Sequence, residues 1–202
     1  MKPIILKIPI EPNIEDIQRY LGKKKGVTEI TPNIKNILEN MIKLGKAMAK
    51  PIGSYSIMKI MKKGDEIVEL EQFSLTGKRI SAVLKNSLYV ILLATTIGGV
   101  LEEEIEKLEK RKKFTEALIL DAVGSTMADQ AMDFLQSTIQ GEFHRRGFSF
   151  TMRYSPGYGD LPLKVQPDLV KFSGGEEIGI KVTKSYMMIP KKSVTAIIGL
   201  EK

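Results

Sequence analysis

Ser87-Leu88-Tyr89-Val90-Ile91-Leu92-Leu93-Ala94 is the stretch of sequence that decides the fold. It is short, mostly aliphatic and bounded, which is typical of a strand buried on both faces of a sheet. The stretch ends in Thr95-Thr96-Ile97-Gly98-Gly99, where the glycine backbone carries no bulky side chains. The sequence therefore predicts a central strand followed by a segment whose backbone is not covered by bulky side chains.

Helical and strand patterns alternate irregularly on both sides of this stretch. Asn13 and the pair Thr31-Pro32 are suitable N-caps for two helices near the N-terminus. We expect helices over 14–22, from 31 to about 50, and over 77–84, 102–113, 115–145 and 162–170. We expect strands over 1–12, 54–60, 66–73, 87–94, 147–152, 178–182 and 193–199. Because no βαβ unit repeats, the pattern indicates an α+β fold.

The length of 202 residues suits one well-packed domain, and no linker or internal repeat divides the chain. Of its residues, 43% are hydrophobic and 27% are charged, as in soluble globular proteins. The longest apolar run is far shorter than the roughly 18 residues that a membrane-spanning helix needs. The N-terminus lacks the order of regions that marks a signal peptide. We therefore expect a cytoplasmic protein without a membrane partner.

Cysteine is absent and His144 is the single histidine. Disulfides, thiolate catalysis and cysteine-bound metals are therefore excluded, and we expect no metal site. His144 precedes two arginines at what is predicted to be a helix end, where histidine usually interacts with the helix dipole. The abundance of lysine and glutamate, with no cysteine, is typical of a thermophilic source.

The formal net charge of +7 raises the hypothesis of nucleic-acid binding. The basic runs Lys23–Lys25, Lys62-Lys63 and Lys110–Lys113 are scattered and lack interleaved aromatic residues. No zinc-finger spacing, RNA-recognition motif or helix-turn-helix pattern accompanies them. Nucleic-acid binding therefore stays an alternative, and no nucleic-acid partner is expected.

Arg153-Tyr154-Ser155-Pro156-Gly157-Tyr158-Gly159-Asp160 combines a guanidinium, two aromatic rings and a Pro-Gly turn. A guanidinium suits a planar carboxylate. Pro156 fixes its own φ, and Gly157 can adopt the positive φ that a type II turn requires. The two glycines also leave backbone amides uncovered for a flat ligand. The residues alone fit both a ligand site and an ordinary turn with flanking aromatics.

The long helix expected over 115–145 carries two aspartates among small residues. Asp121 and Asp129 are eight positions apart and lie within about 80° of each other around a helix. Each fits a solvated helix position or the counter-charge of a bound ammonium or sulfonium.

Three segments together resemble the activation (reactivation) domain of cobalamin-dependent methionine synthase. They are Arg153–Tyr158, Lys184–Val194 and Ala94–Gly98. The first contains Arg-x-x-Pro-Gly-Tyr, the S-adenosylmethionine motif of that family. The second contains Met-x-Pro-x-x-Ser-Val, about 35 residues further on. The resemblance implies a mainly antiparallel, bent sheet flanked by helices, with residues 76–202 as the S-adenosylmethionine-binding core. Residues 1–75, which match no part of the family, are expected to belong to the same domain.

The resemblance also implies the site residues. Arg153 matches the arginine that holds the methionine carboxylate, and Tyr158 closes the site. The groups that hold the adenine match Ser155, Pro156 and Gly157. By spacing, Asp129 is the counterpart of an acid on the family's long helix, where the family has a glutamate. A further acid just before the arginine has no counterpart, because residues 148–152 contain none.

The implied function is that of a free-standing reactivation subunit. It would bind S-adenosylmethionine and dock on a separate cobalamin-bearing methionine synthase core, or a related corrinoid protein, for reductive remethylation of inactive cob(II)alamin. The chain would then be one component of a methyltransferase, with cobalamin supplied by the partner and an electron donor of the flavodoxin or ferredoxin type. No catalytic side chain is required, because the cofactors carry the chemistry and the protein positions them. The alternative is a non-catalytic S-adenosylmethionine sensor or corrinoid-protein chaperone.

Overall fold

The computed structural model describes residues 2–22 and 31–202, so the basic run Lys23–Lys25 lies outside the described residues. The helices are α1 (Ile14–Tyr20), α2 (Pro32–Met48), α3 (Lys78–Val83), α4 (Val100–Lys110), α5 (Phe114–His144) and α6 (Gln166–Ser173). The strands are β1 (Ile4–Lys7), β2 (Ile52–Lys63), β3 (Ile67–Leu70), β4 (Ser74–Thr76), β5 (Tyr89–Thr96), β6 (Ser149–Phe150), β7 (Lys181–Val182), β8 (Met188–Ile189) and β9 (Ser193–Glu201).

The central strand is β5, as the aliphatic stretch predicts. It pairs antiparallel with β2 on one side and with β9 on the other, and every residue after Tyr89 is buried. The main sheet runs in the order β4-β3-β2-β5-β9-β6, and β1 pairs with the first half of β2. Strands β7 and β8 form a separate two-stranded sheet. The predicted α+β domain with an antiparallel sheet and flanking helices is confirmed.

Helices cover both faces of the main sheet. The second half of α5 packs on one face, where Met132 and Leu135 join Ile91 and Ile198 in one core cluster. On the other face, α3 and α6 form a second cluster around β5 and β9. The first half of α5 packs with α1, α2 and α4 in a third cluster. Because of this arrangement, α5 runs past the sheet and into the layer formed by α1, α2 and α4, and its middle lies beside the first residues of β9.

Capping residues explain where the N-terminal helices begin. The Asn13 side chain accepts from the N–H of Glu15, and the Thr31 hydroxyl accepts from the N–H of Ile34. Both side chains satisfy helix N–H groups that lack an intrahelical partner. The two N-caps predicted from the sequence are therefore confirmed.

Glycines in the left-handed region shorten two predicted strands. The strand expected over 178–182 is reduced to β7, because Gly179 has a φ of +88° inside a turn. The strand expected over 147–152 is reduced to β6, because Gly147 has a φ of +78°. The helix expected over 162–170 begins with a 3-10 turn at Leu163–Val165 and continues to Ser173.

The predicted division between residues 75 and 76 stays a prediction, and β2 pairs with β5 across it. No helix in the described ranges is long and apolar enough to cross a membrane.

Candidate functional site

A cleft of about 690 Å³ opens beside the first residues of β9. Four parts of the chain form its walls: the middle of α5, the segment that follows β6, the first turns around α6, and the segment that leads into β9. Five of the six predicted site residues line it, namely Asp129, Arg153, Ser155, Pro156 and Tyr158. The fold thus brings together two sequence motifs and one helix position that are far apart in the chain.

The Pro-Gly turn has the predicted geometry. The N–H of Tyr158 donates to the carbonyl of Ser155 at 3.2 Å, and Gly157 has a φ of +86°. This is the type II turn expected from the dipeptide. The N–H of Gly157, however, donates to the carbonyl of Leu161 at 2.8 Å. The expectation of an uncovered amide at Gly157 is therefore wrong. Gly157 is not among the lining residues, and its assignment to the site stays a prediction.

The turn is attached to the sheet through Tyr154. Its N–H and carbonyl both bond to Ile197 of β9, at 2.9 and 2.8 Å. The Tyr154 hydroxyl leaves no space for a side chain at Gly159, because a Cβ there would lie 2.0 Å from the hydroxyl oxygen. Gly159, with a φ of +56°, thus lets the chain fold back over Tyr154.

Asp160 ends the motif and has a structural role. Its carboxylate accepts from the backbone N–H of Arg79 at 2.8 Å, at the start of α3. This hydrogen bond holds the pKa of Asp160 below its usual range. The N-cap residue of α3 is Gly77, which has no side chain to cap the helix. Asp160 therefore takes this role and accepts from a helix N–H that lacks an intrahelical partner.

Arg153 is held in place by α5. Its Nη1 donates to Asp133 Oδ1 at 2.7 Å and to Gln136 Oε1 at 3.1 Å, and its side chain is 29% exposed. Asp133 and Gln136 were missed from the sequence. The spacing from Asp129 to these two residues is four and seven positions, which places all three on one helix face. That spacing is the signal that could have identified them.

The two aspartates of α5 have different partners. Asp129 accepts from the hydroxyl of Tyr20 in α1, and this hydrogen bond raises the pKa of Tyr20 to about 12. Asp121 pairs with Lys192 Nζ at 2.7 Å, and the same ammonium donates to Ser125. Asp121 is therefore a counter-charge to an ammonium of the chain itself and does not line the cleft.

Buried polar groups form the floor of the cleft. Gln166 is 3% exposed, and its Nε2 donates to Thr195 Oγ1 at 2.6 Å and contacts Met188 Sδ at 3.2 Å. The Ser193 hydroxyl donates within this region to the carbonyl of Pro190, at 2.6 Å. Met188 and Ser193 belong to the Met-x-Pro-x-x-Ser-Val segment. Gln166 was not predicted, because it precedes a proline in a helix start that carries no recognisable motif.

His144 lies outside the cleft, edge-on to the ring of Phe150 at 5.0 Å. In the part of the chain that the structure describes, no group of three or more acidic or histidine side chains could hold a metal ion.

No protein-family model matches the sequence, and a comparison with curated proteins finds no match. Among solved structures, the chain is similar to the crystal structure of the MetH reactivation domain bound to AdoHcy (S-adenosylhomocysteine). The TM-score is 0.69 over 98% of this chain and 78% of that chain, at 13% sequence identity. The chain has the fold of the MetH reactivation domain. Because 98% of the chain is covered, the similarity in fold extends to described residues before position 76 as well as to the segments that carry the motifs.

Proposed function

We propose that the chain binds S-adenosylmethionine in the cleft and docks on a cobalamin-bearing methionine synthase core, or a related corrinoid protein, on a separate chain. In this role it supports reductive remethylation of inactive cob(II)alamin, as one component of a methyltransferase. The observation that carries the proposal is the meeting of Arg153, Asp129 and the Ser155–Tyr158 turn at one cleft. The solved domain of the same fold is bound to AdoHcy, which supports this choice of ligand.

The cleft fits such a ligand in size and polarity. Its volume lies within the roughly 300–1,000 Å³ that is typical of small-molecule sites. Arg153 uses one of its nitrogens for Asp133 and Gln136, so the remaining donors of its guanidinium can bind a carboxylate. Asp129 offers the opposite charge for an ammonium, and Tyr158 offers an aromatic face. When bound, S-adenosylmethionine supplies a methyl group already activated on its sulfonium.

The rim of the cleft supports the docking part of the proposal. Large apolar side chains in the lining of the cleft are exposed, namely Met152, Tyr158 and Met187, and so is Ile189, which follows the lining residue Met188. Exposed apolar groups that cluster in this way mark sites of protein association. A partner seated there would cover the cleft and exclude water from it. The reducing electron comes, in this proposal, from a separate donor of the flavodoxin or ferredoxin type.

Calorimetry tests the binding site. We expect the purified chain to bind S-adenosylmethionine and AdoHcy with micromolar affinity. Arg153→Ala should weaken binding by about 10- to 150-fold, the effect of losing a charged hydrogen bond. The matched control is Arg145→Ala, which removes an exposed arginine after α5. Wild-type affinity in Arg153→Ala would overturn the site assignment.

A second experiment tests the reaction. The chain is mixed with a cobalamin-loaded methionine synthase core, a reductant and S-adenosylmethionine labelled in its methyl group. We expect label to appear on the cobalamin and a complex to form in gel filtration. Binding of S-adenosylmethionine without either result would favour the sensor or chaperone.

A further inference from the structure

The amide of Gln166 has one group without a protein partner. Both hydrogens of its Nε2 are used, by Thr195 Oγ1 and by Met188 Sδ. No described residue donates a hydrogen bond to its Oε1, although the residue is 97% buried and lines the cleft. Because Gln166 lines the cleft, a ligand or water there can donate the missing hydrogen bond to this carbonyl.

Gln166 lies close to the Ser155–Tyr158 turn, where the family resemblance places the adenine. Leu163 precedes it by one 3-10 turn and packs against Gly157, where a Cβ would be 3.1 Å from the leucine side chain. Both Leu163 and Gln166 line the cleft. The Gln166 carbonyl thus belongs to the part of the cleft next to the Ser155–Tyr158 turn.

The neighbouring edge of β9 is also open. Ile197 bonds outward to Tyr154, and the carbonyl of Gly199 bonds outward to Thr151. Because hydrogen-bonding directions alternate along a strand, the N–H and carbonyl of Thr195 point to the same outer side. Among the described residues, no strand pairs with β9 there. The cleft wall therefore presents a backbone donor and a backbone acceptor beside the Gln166 carbonyl.

We infer that Gln166 is a specificity residue, whose Oε1 accepts a hydrogen bond from the 6-amino group of a bound purine. This inference rests on the proposed function and adds the discrimination of a 6-aminopurine from a 6-oxopurine. A 6-oxopurine would bring an oxygen against Oε1, so two acceptors would face each other. Met188 Sδ and Thr195 Oγ1 together fix the orientation, because both accept from Nε2 and a thioether can only accept.

The test compares the binding of AdoHcy with that of its 6-oxo analogue, S-inosylhomocysteine, by calorimetry. For the wild-type chain we expect AdoHcy to bind at least about tenfold more tightly, the effect of one hydrogen bond of about 1.4 kcal/mol. Gln166→Met keeps the length of the side chain but removes the carbonyl, and should bring the two affinities within about twofold of each other. The matched control is Gln72→Met at an exposed position outside the cleft, which should keep the wild-type ratio.

The outcomes separate the two proposals. If AdoHcy does not bind to the wild-type chain, the proposed function fails. If it binds but the wild-type chain does not discriminate, or Gln166→Met keeps the full ratio, only the role of Gln166 is overturned. Thr195→Val, which frees the Gln166 amide to rotate, should also lower the ratio. This variant provides the test should Gln166→Met fail to give the wild-type circular dichroism spectrum.

Discussion

Arg153 depends on two side chains of a different element to point into the cleft. The guanidinium is anchored by Asp133 and Gln136 of α5, twenty and seventeen positions earlier in the chain. An unanchored arginine has many rotamers, and fixing one of them costs conformational entropy on binding. We infer that Asp133 positions Arg153 for a carboxylate ligand.

Removal of this anchor should weaken ligand binding less than removal of the arginine. We expect Asp133→Ala to lower the affinity for AdoHcy by about three- to tenfold, because one charge-assisted hydrogen bond is lost. Asp133→Asn keeps an oxygen acceptor and should lose less. Calorimetry measures both, with exposed Asp65→Ala as the control. An effect of Asp133→Ala as large as that of Arg153→Ala would contradict a positioning role.

Tyr20 should make the stability of the chain sensitive to high pH. Its protonated hydroxyl donates to Asp129, and its pKa is about 12 in the folded chain against an ordinary value of 10. The raised pKa means that the unfolded chain releases this proton first. The contribution of the hydrogen bond is therefore fully present below pH 10 and is lost as the pH rises toward 12.

Comparison with Tyr20→Phe checks this dependence. We expect the wild-type chain to have the higher urea midpoint at pH 8 and the difference to vanish between pH 10 and pH 12. A difference that stays constant across this range would show that the ring, and not its hydroxyl, stabilises the fold.

The sequence identifies Arg153 and Asp129 as site candidates but not the residues that hold them. Tyr20 and Asp129 are 109 positions apart, and no local pattern links them. Gln166 likewise meets Thr195 only after α6 has packed against the sheet. A sequence motif can identify candidate ligand-binding residues. The side chains that support those residues come from distant parts of the chain and are known only once the tertiary fold is known.

At the scale of helices and strands, apolar periodicity predicts the long elements. The aliphatic run predicts strand β5, and the helical pattern over 115–145 predicts α5 to within one residue of each of its observed ends. Periodicity fails where a glycine sets the backbone, as at Gly147 and Gly179. It also fails for β8, whose two residues form a strand only because β7 lies opposite.

The turn after Tyr154 has no room for an added methyl group at Gly159. At Gly159, a φ of +56° and the Tyr154 hydroxyl both oppose a side chain. We expect Gly159→Ala to lower the free energy of unfolding by about 1–3 kcal/mol. The matched control is Gly141→Ala in α5, where nothing lies within 4 Å of the new Cβ. That change should raise stability by about 0.4–1 kcal/mol. Urea denaturation measures both, and changes of the same sign would contradict the expectation.

At the scale of the whole molecule, several exposed apolar side chains line the cleft, namely Met152, Tyr158, Leu163, Tyr186 and Met187. Ile189, which follows the cleft-lining Met188, is 52% exposed and is not itself among the lining residues. A substitution at Ile189 can therefore test the proposed docking without changing the binding site. Leu118 on α5 is similarly exposed and also lies outside the lining.

Ile189→Glu should separate docking from ligand binding. We expect it to keep wild-type affinity for AdoHcy and to weaken the complex with the cobalamin-loaded protein at least about tenfold, because a charge would be buried in an apolar contact. Leu118→Glu serves as the control and should leave the complex intact. Equal weakening by the two variants would place the docking face elsewhere.

The open edge of β9 also bears on self-association. An unpaired strand edge is a template onto which another chain can add a strand, and this is a common route to aggregation. Here the open part is confined to Ser193 and Thr195, between the Tyr154 bridge and Pro190, which has no N–H to offer. The open stretch offers an added strand only two outward-facing residues over a length of three, the lower limit of the three to ten residues usual for a strand. The open backbone groups of Ser193 and Thr195 can therefore bind a small planar molecule, but they form a poor template for a strand from a neighbouring copy of the chain.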